Sequence, residues 1–223
     1  MGMLSAMQEL RIAVRDFSVS ASLWGEGETA IVLGHGAGGN RESPSMTALA
    51  AALAATGRRV VLYNFPYSDR RAKRPDPTDL LEMTTQEVGA HVRDRLGARR
   101  VIHGGRSMGG RIASQVVAKG APADGLVFLA YPLHPPGRPD TLRGRHLPAI
   151  PVPMLFIQGT RDAFARWDLL TSVLERLGEK ARLHPIEGAD HSFKLPKSAG
   201  RSAESVQEEI LRVTTEWLDR HGW

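Results

Sequence analysis

Five short, unbroken apolar runs limit this chain to few folds: residues 30–33, 60–63, 101–102, 126–130 and 154–157. Apolar runs of this length, bounded by Gly, Pro or charge, are the pattern of strands buried on both faces. Helix-period segments separate or follow them, at 45–55, 80–96, 108–119, 167–177 and 202–220. The last sets Val206, Ile210, Val213, Trp217 and Leu218 on one face, with Glu208, Glu209, Arg212 and Glu216 on the other. Upstream, Leu10, Ile12 and Val14, then Phe17, Val19, Ala21 and Leu23, alternate with polar residues. Period-two alternation of that kind predicts an antiparallel pair at a sheet edge. The expectation is an α/β fold with a mostly parallel central sheet, an antiparallel N-terminal edge pair and helices on both faces. A length of 223 residues suits a single domain over 1–223. It leaves no room for a cap domain. The stretch 132–153 holds seven prolines and reads as a long surface loop.

Composition narrows the chemistry. There is no cysteine, which excludes disulfides, cysteine-based metal sites and a thiol nucleophile. No run approaches the roughly 18 apolar residues of a membrane helix. The stretch 1–11 lacks a signal-peptide apolar core, so a cytoplasmic location with no membrane partner is expected. The net charge of +5 comes from scattered pairs, the densest being Arg70, Arg71, Lys73 and Arg74. No aromatic-basic stacking pattern accompanies them, so a solvated surface is expected rather than a nucleic-acid partner. Oligomeric state is not legible.

The sharpest local signal is Gly105-Arg106-Ser107-Met108-Gly109, between a strand and an amphipathic helix. In that context G-x-S-x-G is a nucleophile elbow, a tight turn that exposes the serine hydroxyl at a helix N-terminus. A serine needs a base to take its proton, and this motif's chain order is Ser, then acid, then His. Asp162 lies just past the run at 154–157, and His191 follows a predicted strand at 181–186. Each alone is unremarkable, since a loop Asp is usually a turn or cap residue. Three residues in order, each past a strand's carboxyl end, form a triad expectation. Asp190 is the rival acid, but a sequence neighbour rarely faces the adjacent imidazole.

Oxyanion donors are expected from the backbone N–H of Met108 and of Ala37, the latter in the glycine-rich loop 34–40. Gly34, Gly36 and Gly39 also spell G-x-G-x-x-G, but the acidic ribose partner of a dinucleotide site is missing, since the next strand ends in Asn64-Phe65-Pro66. His35 is expected to brace this loop, and His103, beneath the elbow, to be a satisfied structural residue. His134 and His146 show no ligand spacing, so no metal and no cofactor are expected. Arg106 reads as a surface ion-pair residue, with capture of a substrate carboxylate the sharper option. Phe65, Tyr131 and Phe164 follow strand ends and are candidates to line an acyl pocket, as are Tyr67, Trp167 and Phe193.

These segments carry a resemblance. HGAGG at 35–39, GGRSMGGR at 104–111, YPLHPPG at 131–137 and QGTRDAF at 158–164 are similar to a branch of small, capless α/β-hydrolases grouped with dienelactone-hydrolase-like proteins. The similarity spans about residues 28–221. It implies Ser107, Asp162 and His191 as the triad, in agreement with the reading from the residues. True dienelactone hydrolases carry a cysteine nucleophile, so no dienelactone substrate is implied.

The function expected is a carboxylesterase-like serine hydrolase acting on a small-molecule ester or thioester through an acyl-enzyme. The alternatives are a peptidase or acyltransferase on the same triad, or a non-catalytic interaction module that kept the fold.

Overall fold

The computed structural model describes residues 7–223. The first six residues, part of the stretch read as lacking signal-peptide character, lie outside it. The strands are β1 (Gln8–Val14), β2 (Phe17–Trp24), β3 (Thr29–Gly34), β4 (Arg59–Tyr63), β5 (Arg100–Arg106), β6 (Gly125–Leu129), β7 (Met154–Gly159) and β8 (Ala181–Ile186). The helices are α1 (Pro44–Ala54), α2 (Pro66–Asp69), α3 (Thr78–Asp94), α4 (Met108–Ala118), α5 (Trp167–Leu177) and α6 (Ala203–Arg220). One eight-stranded sheet runs β1-β2-β4-β3-β5-β6-β7-β8. Strands β3 to β8 pair in parallel, while β1 with β2 and β2 with β4 are antiparallel.

Side-chain alternation along the central strands divides the core. Ile31, Leu33, Ile102, Val127, Leu155 and Ile157 face α1 and α6, where Leu49, Leu53, Val206, Ile210 and Trp217 meet them. Val32, Val61 and Val101 face α3 and α4, through Leu81, Val88, Val92 and Ile112. Phe128 and Phe156 continue that second face toward α5, against Val116 and Leu170. With helices on both faces every central strand is buried, which is why these strands read as apolar runs rather than as alternations. Among the described residues no inserted cap domain interrupts this layering.

Two expectations change. β5 runs to Arg106, beyond the apolar pair at 101–102, because its glycines serve close packing: a Cβ on Gly104 would stand 2.0 Å from Val127 O. The stretch 132–153 is not simply a surface loop. Leu133, His134, Leu147 and Ile150 are buried against α4 and α5, held by a 3₁₀ turn at Leu147–Ala149.

Candidate active site

β5 enters α4 through a single residue, Ser107, with φ 49° and ψ −112°. This is strained backbone for a residue with a Cβ. It is over-determined by its neighbours. Ser107 N–H donates to Leu129 O at 2.9 Å, and a Cβ on Gly105 or Gly109 would stand 2.3 or 2.2 Å from Gly34 O. Only glycine at both positions lets strand, turn and helix close on β3. The half-buried Ser107 is thereby held at the carboxyl edge of the sheet.

The next two sheet crossings deliver the other groups. Asp162 follows β7, its side chain fully buried, and His191 follows β8, its side chain 20% exposed. His191 Nε2 lies 2.8 Å from Ser107 Oγ, and His191 Nδ1 lies 2.7 Å from Asp162 Oδ2. With Nδ1–H donating to the carboxylate, the Nε2 lone pair faces the serine hydroxyl. Asp162 also accepts from Phe164 N–H at Oδ1 (2.7 Å) and from Gln158 Nε2 at Oδ2 (2.5 Å). The rival acid is occupied elsewhere: Asp190 Oδ1 accepts from the backbone N–H of Ser192 and Lys194 at 2.7 and 2.9 Å, closing its own turn.

The imidazole is boxed in. Phe164 stacks on it at 4.2 Å between ring centroids, with 26° between planes. Arg106 Nη2 donates to His191 O at 3.1 Å, and its guanidinium lies over the Phe193 ring at 5.5 Å. Burial lowers the guanidinium's proton affinity, an effect opposed by Asp190 and Asp162. Arg106 therefore ties the histidine loop to the elbow, rather than forming the surface ion pair expected of it.

The glycine-rich loop stands beside the serine: a Cβ on Gly36 would sit 3.6 Å from Ser107 Cβ. His35 braces the loop as expected. Its Nδ1 bonds Gly36 O at 2.8 Å, and its Nε2 accepts from Phe65 N–H at 3.2 Å. Accepting at Nε2 requires a neutral ring, in keeping with a pKa pushed down by burial. Gly38 and Gly39 spend their N–H groups on Tyr67 OH and Gly36 O. Ala37, between Gly36 and these two, is exposed, and Met108 opens α4.

Two expected pocket-lining residues are corrected. Phe65 is fully buried, edge-on to His35 and Tyr63, and Tyr131 is fully buried, edge-on to Phe128 and Phe156. Burial raises the Tyr131 hydroxyl to about 12. Neither ring has surface to offer a ligand; of the three aromatics, Phe164 alone is partly exposed at the site. Tyr67, also buried, props the loop. His103 is buried against α3, yet its Nδ1 has no partner among the described residues, so it is not the satisfied histidine expected. Sequence reasoning missed Gln158 and the bracing role of Arg106. The one available signal was an amide closing an otherwise apolar run at the end of β7. Among the described residues no group of three or more His, Asp or Glu side chains is placed to hold a metal ion.

Solved structures share this architecture. A dienelactone hydrolase from Anabaena variabilis superposes with a TM-score of 0.76 at 20% identity, covering 97% of this chain and 98% of that one. An α/β serine hydrolase without a lid from Xanthomonas campestris gives 0.74 at 21% identity, covering 99% and 96%. An esterase from Pyrococcus furiosus gives 0.75 at 18%, covering 97% and 90%. At these identities the likeness is one of fold. Family membership rests on the sequence itself, which matches over residues 27–219: the chain belongs to the alpha/beta hydrolase domain family.

Proposed function

We propose that the protein is a serine hydrolase that cleaves a carboxylic ester or thioester through an acyl-enzyme. The observation that carries the reading is the continuous relay from Ser107 Oγ through His191 to Asp162, at 2.8 and 2.7 Å, beginning at a serine of positive φ. Ser107 Oγ attacks the carbonyl carbon while His191 Nε2 takes the hydroxyl proton. Asp162 keeps Nδ1 as the donor and stabilises the imidazolium. The backbone N–H groups of Met108 and Ala37 receive the carbonyl oxygen as it becomes anionic. Collapse expels the alkoxide or thiolate, protonated by His191. Water then attacks the acyl-enzyme with His191 again as base, and the acid leaves with Ser107 restored. Phe164, flat against the imidazole, flanks the small-molecule acyl substrate. The full burial of its side chain spares Asp162 direct contact with water.

The test is a fluorophosphonate probe with intact-mass detection. A single adduct is expected on the wild-type chain and none on Ser107→Ala. An adduct that survives in Ser107→Ala, or no adduct on the wild type, overturns the assignment. Ser107→Ala should lower kcat by up to about 10⁶ where the triad acts as a unit.

A further inference from the structure

The fully buried Gln158 is the penultimate residue of β7, four residues before Asp162, and its amide points at that carboxylate. Three donors converge on Asp162: Phe164 N–H on Oδ1, with Gln158 Nε2 and His191 Nδ1 sharing Oδ2. Gln158 Oε1, by contrast, is buried and has no partner among the described residues. A buried carbonyl without a donor is destabilising, and a leucine of similar size would avoid it. The amide's orientation is dictated by charge. Turned over, it would set Oε1 against Oδ2, oxygen to oxygen, an arrangement that only a protonated Asp162 tolerates. As found, the amide donates to Oδ2, a bond that is stronger to the carboxylate than to the neutral acid and so favours the anionic form.

We propose that Gln158 is a positioning residue. Its amide holds Asp162 as an oriented carboxylate facing His191, and the unpaired Oε1 is the stability given up for that. The proposal rests on the hydrolase reading and deepens it, since it concerns how the acid of that triad is kept in its working state. The charged groups around His191 are Asp162, Arg106 and Asp190; of these, Gln158 touches only Asp162. Losing the Gln158 donor concentrates negative charge on Oδ2. That makes Asp162 easier to protonate and the His191 imidazolium more favourable. Both effects move the loss of neutral, correctly held His191 to higher pH.

The experiment compares wild type, Gln158→Leu and Gln158→Glu. The carboxyl introduced by Gln158→Glu is buried beside an anion, so it stays protonated at neutral pH and donates to Oδ2 in place of the amide. Gln158→Leu should lose about ten- to hundredfold in kcat with KM little changed, as for a hydrogen bond to a charged group. The acidic limb of its kcat/KM profile should move to higher pH, and its Tm should equal or exceed that of wild type. Gln158→Glu should recover most of kcat at neutral pH. A merely structural glutamine would instead give a lower Tm with an unmoved pH limb, and that outcome overturns the proposal. Equal loss in Gln158→Leu and Gln158→Glu with an unmoved limb overturns it too. The NMR titration midpoint of the His191 ring reads the same effect without substrate and should rise in Gln158→Leu. If the wild type neither labels nor turns over, the hydrolase reading has failed, and this midpoint alone decides whether Gln158 governs the Asp162–His191 pair.

Discussion

Two aspartates compete for one histidine in the sequence, and local hydrogen bonding separates them. Asp190 is spent on two backbone N–H groups of its own turn, while Asp162 reaches His191 Nδ1 at 2.7 Å from full burial. Asp162→Asn keeps the shape but presents an amide that favours the wrong imidazole tautomer, so kcat should fall by about 10⁴ with the fold retained. Asp190→Asn keeps an acceptor oxygen for its turn and should cost less than about tenfold, since only charge is removed at a site that does not touch the ring. Steady-state kinetics and thermal melts of the two variants check this. Equal losses, or the reverse order, would mean that the acid has been misassigned. The three residues were legible in sequence because each follows a strand that the apolar runs had already marked. Gln158 was not, because nothing in a run of residues shows which of two atoms on an amide will find a partner.

Among the elements, α3 and β5 approach closely around a buried histidine. A Cβ on Gly89 of α3 would stand 2.3 Å from His103 Cε1, so helix and strand meet with an imidazole wedged between them. Burial lowers the His103 pKa to about 4, with the Arg93 charge acting in the same direction. His35 and His146 are lowered as well, each chiefly by burial. A folded-state value below the unfolded one makes the unfolded chain the stronger proton binder as pH falls. The stability at stake is intact above about pH 6.5 and is lost progressively down to about pH 4. For His103 alone this amounts to roughly 3 kcal/mol by linkage. Urea midpoints at pH 7 and pH 5 should therefore separate clearly in the wild type, and by less in His103→Asn, which cannot take a charge. A variant that retained the full acid loss would remove His103 from the explanation. The antiparallel edge pair, the mostly parallel character of the sheet and five of the six helices were readable from periodicity and apolar runs; the order of the strands was not. The anchors within 132–153 were not: Leu133, Leu147 and Ile150 follow no helical or strand period, and prolines among them disguise a buried segment as an exposed one.

Taken as a whole, the molecule places Ser107 at the carboxyl end of the central strand β5, with Phe164 as the partly exposed aromatic beside its histidine. The neighbouring aromatics Phe65, Tyr67 and Tyr131 are fully committed to the core. A groove of about 560 Å³ between α1 and α6 and a pocket of about 310 Å³ between α5 and residues 142–148 are lined by none of the triad. An enclosed tunnel would reward each added methylene of an acyl chain by roughly 0.8 kcal/mol, and these surroundings give no such return. Across p-nitrophenyl esters from acetate to palmitate, kcat/KM should be greatest for short chains and fall beyond medium ones. A steady rise through the long chains would refute this.

The far end of the sheet has a different significance. β8 closes the strand order, and among its six residues stands Pro185, exposed and without an N–H to donate, on the same strand as the exposed Arg182. Strand-by-strand extension from one copy to the next requires an edge with regular donors and little charge. With Pro185 interrupting the donors and Arg182 adding charge, β8 is a poor template for strand addition. At this end of the molecule, contact with another copy would have to be made through helix faces and loops rather than through the hydrogen-bonding edge of β8.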